Sequence, residues 1–595
     1  MSLLKLKPSA HLRSGRPLLP SRIGAPIFPR HSHSAVHAVP PFVTFNRSRL
    51  VAGALILAAG SALAVSQSNS DSSTSTLPPP AVDSSDPLSA LTPHILMSAT
   101  SHLGKLSVAD LCRQYIVYLA SSQSSLVSSG PWILKQLEWT RDNVPVVGSV
   151  VWGIFTITME GTFYKVFVGG ASVPECAPIV EKYLDQGIGC LLNYSAEASV
   201  DGSATAKCGL LDSHITEACA ALRAAAKLGV PSASTSEDFT SAPYTIKPTL
   251  LAIKLTGLIS EPALLARAST ALVGSSAYQR GTLIPSSFLF PQSPSLSDED
   301  HEILAKLHDG LKRICAEARD GGVRLFVDAE QSWFQPAIDR IVDLLSEEFN
   351  VVNSENAASA PAIPVIHNTY QAYLRTTPPT MAASAARADA LGYSFGAKLV
   401  RGAYVESERI KHTASGADGK CCVWDNKAET DACYDELSVL LEKRVAHDIV
   451  EGKPVTPGTG AFFASHNGTS FKKVLAAFRD DGLAKNVDGG LDIDDRVRGR
   501  ISFAQLLGMS DNLSMTLTDI LAPSTRPSAS GEPQIPIVVK WVPYATVDQA
   551  LPYLIRRANE SQAILQSDPT SGRGGAVGER RAIGRELRSR MGLSF

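Results

Sequence analysis

Several charged residues of this chain interrupt apolar stretches, and each belongs either to a buried ion pair or to a binding or catalytic site. Lys254 lies in the apolar run TLLAIKLTG, where a lysine needs a partner or a ligand because burying an ammonium group alone is costly. Asp328 and Glu330 end the run VRLFVDAEQ. The two-residue period of a strand directs both acids to one face, so they predict a shared acidic edge.

The run AKLVRGAY carries a second group of polar residues. Strand alternation puts Lys398, Gly402 and Tyr404 on one face and directs Arg401 to the other. His466, in AFFASHN, is by itself as consistent with a structural role as with a functional one.

An arginine pair, Arg556 and Arg557, stands in YLIRRANES near the end of the chain. A solvated helix explains the pair without any function, since Glu560 lies four residues after Arg556 and can form an ion pair with it. The arginines alone therefore leave both interpretations open.

The elements that position these residues are eight near-continuous apolar runs that alternate with helical segments. Eight such strands, each followed by a helix, predict an α/β fold of the (β/α)8 barrel type. A doubly wound sheet is the competitor, but the GxGxxG turn that it would carry is not present. The runs are 189–196, 249–257, 323–331, 363–373, 396–404, 461–467, 501–509 and 535–543.

Polar residues that end barrel strands face the active-site mouth. The strand-end residues of this sequence are Glu197, Lys254, Asp328, Glu330, Gln371, Lys398, Arg401, Tyr404, His466, Asn467 and Trp541. The barrel prediction therefore gathers cations, acids and aromatic residues at one opening.

The regions around the barrel differ in composition. Residues 1–70 hold eight Lys and Arg and no acid, which is typical of a mitochondrial transit peptide, and 50–65 is an apolar run that suggests membrane contact. We expect a transit peptide with a possible membrane segment at 1–66, a disordered Ser/Pro-rich linker at 67–99 and a helical region at 100–185. The barrel is expected at 186–566, with surface insertions near 198–246 and 345–361, and a basic tail at 567–595.

Composition excludes several classes of protein. The chain has 595 residues and a formal net charge of −2, so no basic excess indicates nucleic acid as the partner. Its nine cysteines are scattered without a CxxC or Cys/His cluster, which indicates neither a disulfide framework nor a zinc site.

Six blocks of the sequence resemble the proline dehydrogenase family. They are FVDAEQSWFQPAID, NTYQAYLRTTP, AKLVRGAYVESER, FFASHNGTS, FAQLLGMSDNLS and KWVPYATVDQALPYLIRRANES. The resemblance runs in order from about Phe163 to Gln562. It implies a (β/α)8 barrel that binds FAD, oxidises L-proline to Δ1-pyrroline-5-carboxylate and passes electrons to membrane quinone at the matrix side of the inner mitochondrial membrane.

The resemblance also implies roles for individual residues. The substrate carboxylate would be bound by Arg556, Arg557 and Lys254. The substrate pocket would be lined by Asp328, Ala329, Tyr404, Leu506 and Trp541, with Glu197 able to pair with Arg556. The flavin-contacting positions would be Gln371, Lys398, Arg401, Gly402, Ala403, Lys427, Ser465, His466, Asn467 and Glu560. A cation at Lys398 would stabilise negative charge on the reduced flavin.

Three positions depart from the family pattern. Asn193 stands where many members have Asp, which alters one local ion pair. Gln505 is displaced by one position from the glutamine of many bacterial relatives. Trp541 replaces the Tyr usual in proline-specific members, so it bears on the choice between proline and hydroxyproline.

Three other functions stay open at this point. One is hydroxyproline dehydrogenase, which differs only in substrate. A second is a barrel lyase that uses Lys254 as a Schiff-base nucleophile. A third is a membrane-tethered scaffold without activity. Flavin colour and its bleaching by proline or hydroxyproline would separate these functions.

Overall fold

The structure, a computed structural model, describes a barrel and a layer of helices beside it. The described residues are 86–92, 96, 103–194, 209–229, 247–279, 289–351, 363–416, 419–450, 457–525, 535–566 and 575–592. The predicted transit peptide and membrane segment at 1–66, most of the predicted linker, and Glu197 lie outside these residues.

Eight parallel strands close into the barrel. The strands in chain order are β1 (Ile188–Tyr194), β2 (Thr249–Ile253), β3 (Leu325–Val327), β4 (Ile366–Gln371), β5 (Phe395–Val400), β6 (Thr459–Ala464), β7 (Ala484–Val487), β8 (Gly490–Ile493), β9 (Ile501–Leu506) and β10 (Val538–Tyr544). The barrel order is β1, β10, β9, β6, β5, β4, β3, β2, while β7 and β8 form a separate antiparallel hairpin that the sequence analysis did not predict. The predicted (β/α)8 barrel is confirmed, and each predicted apolar run overlaps one barrel strand.

Helices precede the barrel, surround it and follow it. They are α1 (Val108–Ser121), α2 (Ser124–Asn143), α3 (Val147–Met159), α4 (Lys165–Phe167), α5 (Ala177–Leu184), α6 (Gly209–Lys227), α7 (Ala263–Val273), α8 (Ser276–Gln279), α9 (Asp298–Asp320), α10 (Gln335–Phe349), α11 (Thr377–Leu391), α12 (Val405–Ser415), α13 (Lys427–Val450), α14 (Gly468–Asp480), α15 (Asp511–Ile520), α16 (Val547–Gln566) and α17 (Gly575–Arg590). The predicted helical region before the barrel corresponds to α1–α5.

The barrel strands are apolar along their whole length because both of their faces are buried. The inner faces meet in a cluster that includes Leu191, Leu250, Phe326, Phe462 and Val539. The outer faces pack against the surrounding helices in two larger clusters. Polar residues near the carboxyl ends of the strands interrupt these apolar runs, which is why they stand out in the sequence.

The region near 198–246 is more than the predicted surface insertion, because α6 lies within it and has a buried face. Leu211, Ile215 and Leu222 of α6 are buried in the cluster outside the barrel. At Gly310 of α9, an added Cβ would lie 2.8 Å from the Ile215 side chain, so a glycine allows the two helices to approach closely. Likewise, residues 345–349 of the second predicted insertion belong to α10.

The predicted linker and the predicted basic tail both contain apolar residues that pack against the rest of the protein. At the end of the predicted linker, Leu88 and Leu91 lie in a 3-10 turn and are completely buried against the barrel. In the predicted basic tail, Ile583 and Leu587 of α17 are buried against α1. Both predictions relied on local composition, which does not show that a few apolar residues have a distant surface to cover.

Membrane crossing has no candidate among the helices that the structure describes. None of them is both long enough and apolar enough to span a bilayer.

Glu442 of α13 provides a test of the packing around the barrel. It is completely buried, and burial, together with the charge of Asp481, raises the pKa of its carboxyl group to about 7. Since the folded state favours the protonated form, Glu442 should lower stability as the pH rises from about 4.5 to about 7. We expect Glu442→Gln to raise the free energy of unfolding at pH 8 by about 1–3 kcal/mol, with little change at pH 5.

Urea unfolding at the two pH values measures this effect, with Glu436→Gln, an exposed position on the same helix, as the control. Equal stability changes at pH 5 and pH 8 would show that Glu442 is not protonated in the folded protein.

Candidate functional site

The floor of the site is a buried group of three polar residues from alternate barrel strands. Nζ of Lys398, on β5, lies 2.5 Å from Oδ1 of Asp328, which follows β3. Nδ2 of Asn193, on β1, donates to the second carboxylate oxygen of Asp328 at 2.5 Å. All three side chains are buried, so the ammonium has its counter-charge and the carboxylate has both oxygens occupied. Asp328 therefore holds Lys398 in position.

A second polar group joins the ends of β2, β3 and β4. The Glu330 carboxylate accepts hydrogen bonds from the backbone N–H of Thr256, at 3.0 Å, and from the Thr256 hydroxyl. Burial raises the pKa of Glu330, while these hydrogen bonds and the charge of Lys254 act in the opposite direction. Gln371 donates to the Glu330 carbonyl oxygen at 2.7 Å. The positive charge of Lys254 thus acts on Glu330, so the two groups belong to the same end of the barrel.

The arginine pair lies on α16, beside aromatic rings. The Cζ atoms of Arg556 and Arg557 are 5.8 Å and 5.2 Å from the ring centre of Tyr553, and Arg556 is also 5.9 Å from the ring of Tyr404. The Trp541 ring lies 5.8 Å from Tyr553. Arg557 is only 4% exposed, so the alternative of a fully solvated arginine pair does not hold for it.

Donor groups collect where β5 and β6 end. Arg401 donates to the hydroxyl groups of Ser465 and Ser470, and its Nε lies 2.6 Å from the Asp431 carboxylate. The backbone N–H of Asn467 donates to Ser465 at 3.0 Å. As the alternation of β5 predicted, Arg401 has different partners from Lys398. Lys427 pairs with Asp431 but is more than half exposed, at the edge of this group.

His466 lies within this concentration of positive charge. Burial, followed by the charges of Lys540 and Arg557, lowers the pKa of His466 to about 3. Its ring is therefore neutral near neutral pH. Its Nδ1 is buried and has no hydrogen-bond partner among the described residues.

Gly402 follows β5 at a position where a side chain would not fit. Its φ is +126°, which residues with a Cβ rarely adopt, and an added Cβ would overlap the ring of Tyr373. The next residue, Ala403, is exposed, whereas Ala329 is buried and Leu506 is partly buried. The side chain of Glu560 lies outside the described residues.

Two residues of the site were missed in the sequence. Tyr553 contacts both arginines and Trp541, and its position three and four residues before the arginines places it on the same helix face, so helical spacing was a usable signal. Lys540 is 1% exposed, pairs with Asp511 at 2.7 Å and donates to the Met509 carbonyl oxygen at 2.9 Å. Its partners come from an earlier loop and helix, those that follow β9, and strand alternation does not reveal them.

Comparison with known proteins identifies relatives over the barrel. A family model described as "Proline dehydrogenase" matches residues 177–567. "Proline dehydrogenase 2, mitochondrial" of Arabidopsis thaliana is 28% identical over 504 residues, which cover 81% of this chain and 88% of that protein. "Hydroxyproline dehydrogenase" of Rattus norvegicus is 30% identical over 300 residues, 50% of this chain and 55% of that protein.

Among solved structures, proline utilization A from Bdellovibrio bacteriovorus aligns with a TM-score of 0.48 and 17% identity. The alignment covers 86% of this chain and 41% of that protein. The chain thus spans about half of the rat relative and less than half of the bacterial one.

Loss of the buried counter-charge should destabilise the barrel strongly. Asp328→Asn replaces a carboxylate with an amide beside Lys398, and breaking a buried ion pair costs about 3–5 kcal/mol. We expect a loss of that size in the free energy of unfolding, measured by urea denaturation. Lys427→Met, which removes an exposed pair with Asp431, should cost less than about 1 kcal/mol. Equal effects of the two substitutions would contradict the importance assigned to the buried pair.

Proposed function

Because the chain belongs to the proline dehydrogenase family, we propose that it oxidises L-proline to Δ1-pyrroline-5-carboxylate, with FAD as cofactor and membrane quinone as electron acceptor. The observation that carries this proposal is the arrangement at the barrel mouth. A buried, charge-balanced Lys398–Asp328 pair forms the floor, and a buried arginine on α16 stands beside an aromatic group. Such a site suits a small zwitterion with an apolar ring.

The substrate carboxylate would be bound by Arg556, Arg557 and Lys254. Two guanidinium groups provide charge-assisted, bidentate hydrogen bonds and Lys254 adds a point charge. The ring of Tyr553 lies against both arginines and limits their orientations before substrate arrives. Binding energy at the carboxylate would in this way orient the proline ring, and orientation is a large part of what such a site contributes to the rate.

The residues at the ends of β5 and β6 fit FAD. Arg401, Ser465 and Asn467 form one hydrogen-bonded group there, with the cationic and polar character that suits phosphate and ribose oxygens. The buried, unpartnered Nδ1 of His466 marks a polar position that the described residues leave unsatisfied. Lys398 would place its positive charge where the reduced ring system develops negative charge. Lys427 and Ala403 lie toward the exposed edge and fit the outer part of the cofactor.

In the reaction, proline loses one proton and one hydride. The ammonium nitrogen first gives a proton to solvent, which frees its lone pair, and the lone pair then forms the C=N bond as the hydride leaves C5. FAD, when bound, accepts the two electrons. Asp328 would hold Lys398 in position, the arginines would hold the carboxylate, and the neutral His466 adds no positive charge beside them. These side chains supply orientation and electrostatics, and none of them needs to form a covalent bond with substrate.

For location, we propose the mitochondrion, with the barrel on the matrix side of the inner membrane. The acid-free, Arg-rich leader supports import, and the Arabidopsis relative is named as mitochondrial.

A second candidate, hydroxyproline oxidation, is favoured by the similarity to the rat hydroxyproline dehydrogenase. Trp541 is the residue that would decide between the two substrates. Its ring is packed against Tyr553, close to the proposed carboxylate clamp, and it also belongs to the apolar cluster of the barrel interior. An indole there would fill the space that the extra hydroxyl group of hydroxyproline needs, and its N–H is a donor only.

Removal of the proposed clamp should reduce catalysis and spare folding. We expect Arg556→Met and Lys254→Met each to lower kcat/KM for proline by an amount equivalent to about 2–5 kcal/mol, since that is the cost of breaking a buried charged hydrogen bond. Dye-coupled proline oxidation measures the change, and bound FAD should persist in the Lys254 variant. The control is Lys306→Met, an exposed position on α9.

Wild-type kinetics in either clamp variant would refute the assignment. Dye reduction also separates oxidation from the alternative of a Lys254 lyase. That enzyme would release products without reducing a dye, and borohydride would trap its substrate on Lys254.

Substitution of Trp541 should change the substrate preference. We expect the wild-type protein to prefer proline over hydroxyproline by about 10²-fold in kcat/KM, because apolar pockets reject an added hydroxyl group only modestly. Trp541→Ser should shift the ratio toward hydroxyproline. Steady-state kinetics with both amino acids give the ratio, and an unchanged value would mean that Trp541 does not face the substrate ring.

A further inference from the structure

The hairpin of α2 and α3 exposes a cluster of large apolar side chains. We call this cluster the hairpin face; it consists of Trp132, Trp139, Val146, Val147, Val150, Val151, Ile154 and Ile157. The exposure is large: 76% for Val146, 64% for Trp132 and 63% for Ile154. On α3, positions 147, 150, 151 and 154 follow the spacing of one helix face. A contiguous exposed apolar surface of this kind marks an interaction site.

The sequence of α3 is unusually apolar for a helix that buries so few of its own side chains. Residues 144–159 contain no charged side chain, and Gly148 is the buried residue of α3. At the border of the segment, Arg141 pairs with Asp142 and lies 4.6 Å from the ring of Trp152. Arg141 and Asp142 flank the turn that joins α2 to α3, so the charges lie beside α3 while α3 itself carries apolar and uncharged residues.

We propose that the hairpin face docks on a lipid surface. The exposed aliphatic side chains of α3 match the hydrocarbon edge of a bilayer, and the exposed Trp132 and Trp139 of α2 match its interface, where tryptophan is enriched. With 13 residues, α3 is about 20 Å long, shorter than the hydrocarbon core of about 30 Å. The hairpin would therefore lie in the interface as an amphipathic anchor and not cross the membrane.

Charge on a neighbouring helix complements this arrangement. α17 packs on α1, and α1 in turn contacts α2. α17 carries Arg581 and Arg585 at exposed positions. Basic residues on the same helical layer as an apolar anchor add attraction to anionic headgroups.

The hairpin is also connected to the barrel mouth. α16, which carries the arginine pair, packs against α2, and an added Cβ at Gly130 would lie 3.5 Å from Ile555. Met159, at the end of α3, belongs to the same apolar cluster as Leu506 and Trp541. Resting on the proposed function, which needs an electron acceptor dissolved in lipid, the docked hairpin would hold the mouth beside the membrane.

Vesicle flotation of the full-length, flavin-containing protein tests the proposal. The probes are vesicles of phosphatidylcholine alone and with one part in five phosphatidylglycerol. We expect Val150→Lys combined with Ile154→Lys to weaken vesicle binding by about tenfold or more, because lysine is costly to place in the apolar interface. The matched control is Leu391→Lys combined with Val450→Lys, at exposed apolar positions outside the hairpin, and should bind as the wild type does.

Hydrogen exchange localises the contact. On addition of vesicles, amides of 144–159 should become protected in the wild type, while those of 405–415 should not. Three results would overturn the proposal: no flotation of the wild type, equal flotation of the hairpin variant, or protection of 144–159 without vesicles together with sedimentation as a dimer. The last would identify a second copy of the chain as the occupant.

Oxidation of proline with a soluble dye separates this proposal from the proposed function. The hairpin variant should keep wild-type rates with the dye and lose activity with a quinone held in vesicles. A wild-type protein that floats but does not oxidise proline would contradict the function and leave the docking surface intact. A variant that loses dye activity as well would contradict the docking role, because the substitutions would then act on the barrel.

Discussion

The buried pair of Lys398 and Asp328 is the interaction on which the rest of the site depends. Burying either charge alone inside the barrel would destabilise the fold strongly. The two residues come from β5 and β3, which are not neighbours in the sheet. With Asn193 of β1 they form a layer contributed by alternate strands, as the interior of a closed (β/α)8 barrel requires. Below that layer Phe326 and Phe462 fill the interior, so the charged floor rests on a packed core and faces only the mouth.

The residues at the barrel mouth contribute different properties to the site. Asp328 accepts a hydrogen bond at each oxygen, from Asn193 and from Lys398, and so fixes the position of the Lys398 ammonium group. His466 lies beside a second group of cations, around Arg557. Burial keeps its ring neutral, so His466 adds no further positive charge there. The aromatic rings of Tyr553 and Trp541 separate the arginines from the apolar interior. A zwitterion with a hydrocarbon ring complements this combination.

The sequence alone predicted the barrel because its strands are buried on both faces and read as apolar runs. It also predicted that Lys254, Asp328 and Lys398 belong to an ion pair or to a binding site, because a charged residue in an apolar run needs a partner or a ligand. The identity of the partners depended on strand order and closure, which no local pattern contains. The same limit explains α6, α17 and Leu88, whose burial depends on distant surfaces. Tyr553, in contrast, could have been predicted from the sequence, because it lies three and four residues before the arginines and so on the same face of their helix.

The central claim is that this barrel oxidises proline at a bound flavin, and anaerobic titration of the purified protein with L-proline tests it most directly. A yellow protein should lose its visible flavin absorption in proportion to the proline added and recover it when a quinone is supplied. Purified protein that is colourless and gains no flavin absorption with added FAD would contradict the account, as would a yellow protein that excess proline does not bleach.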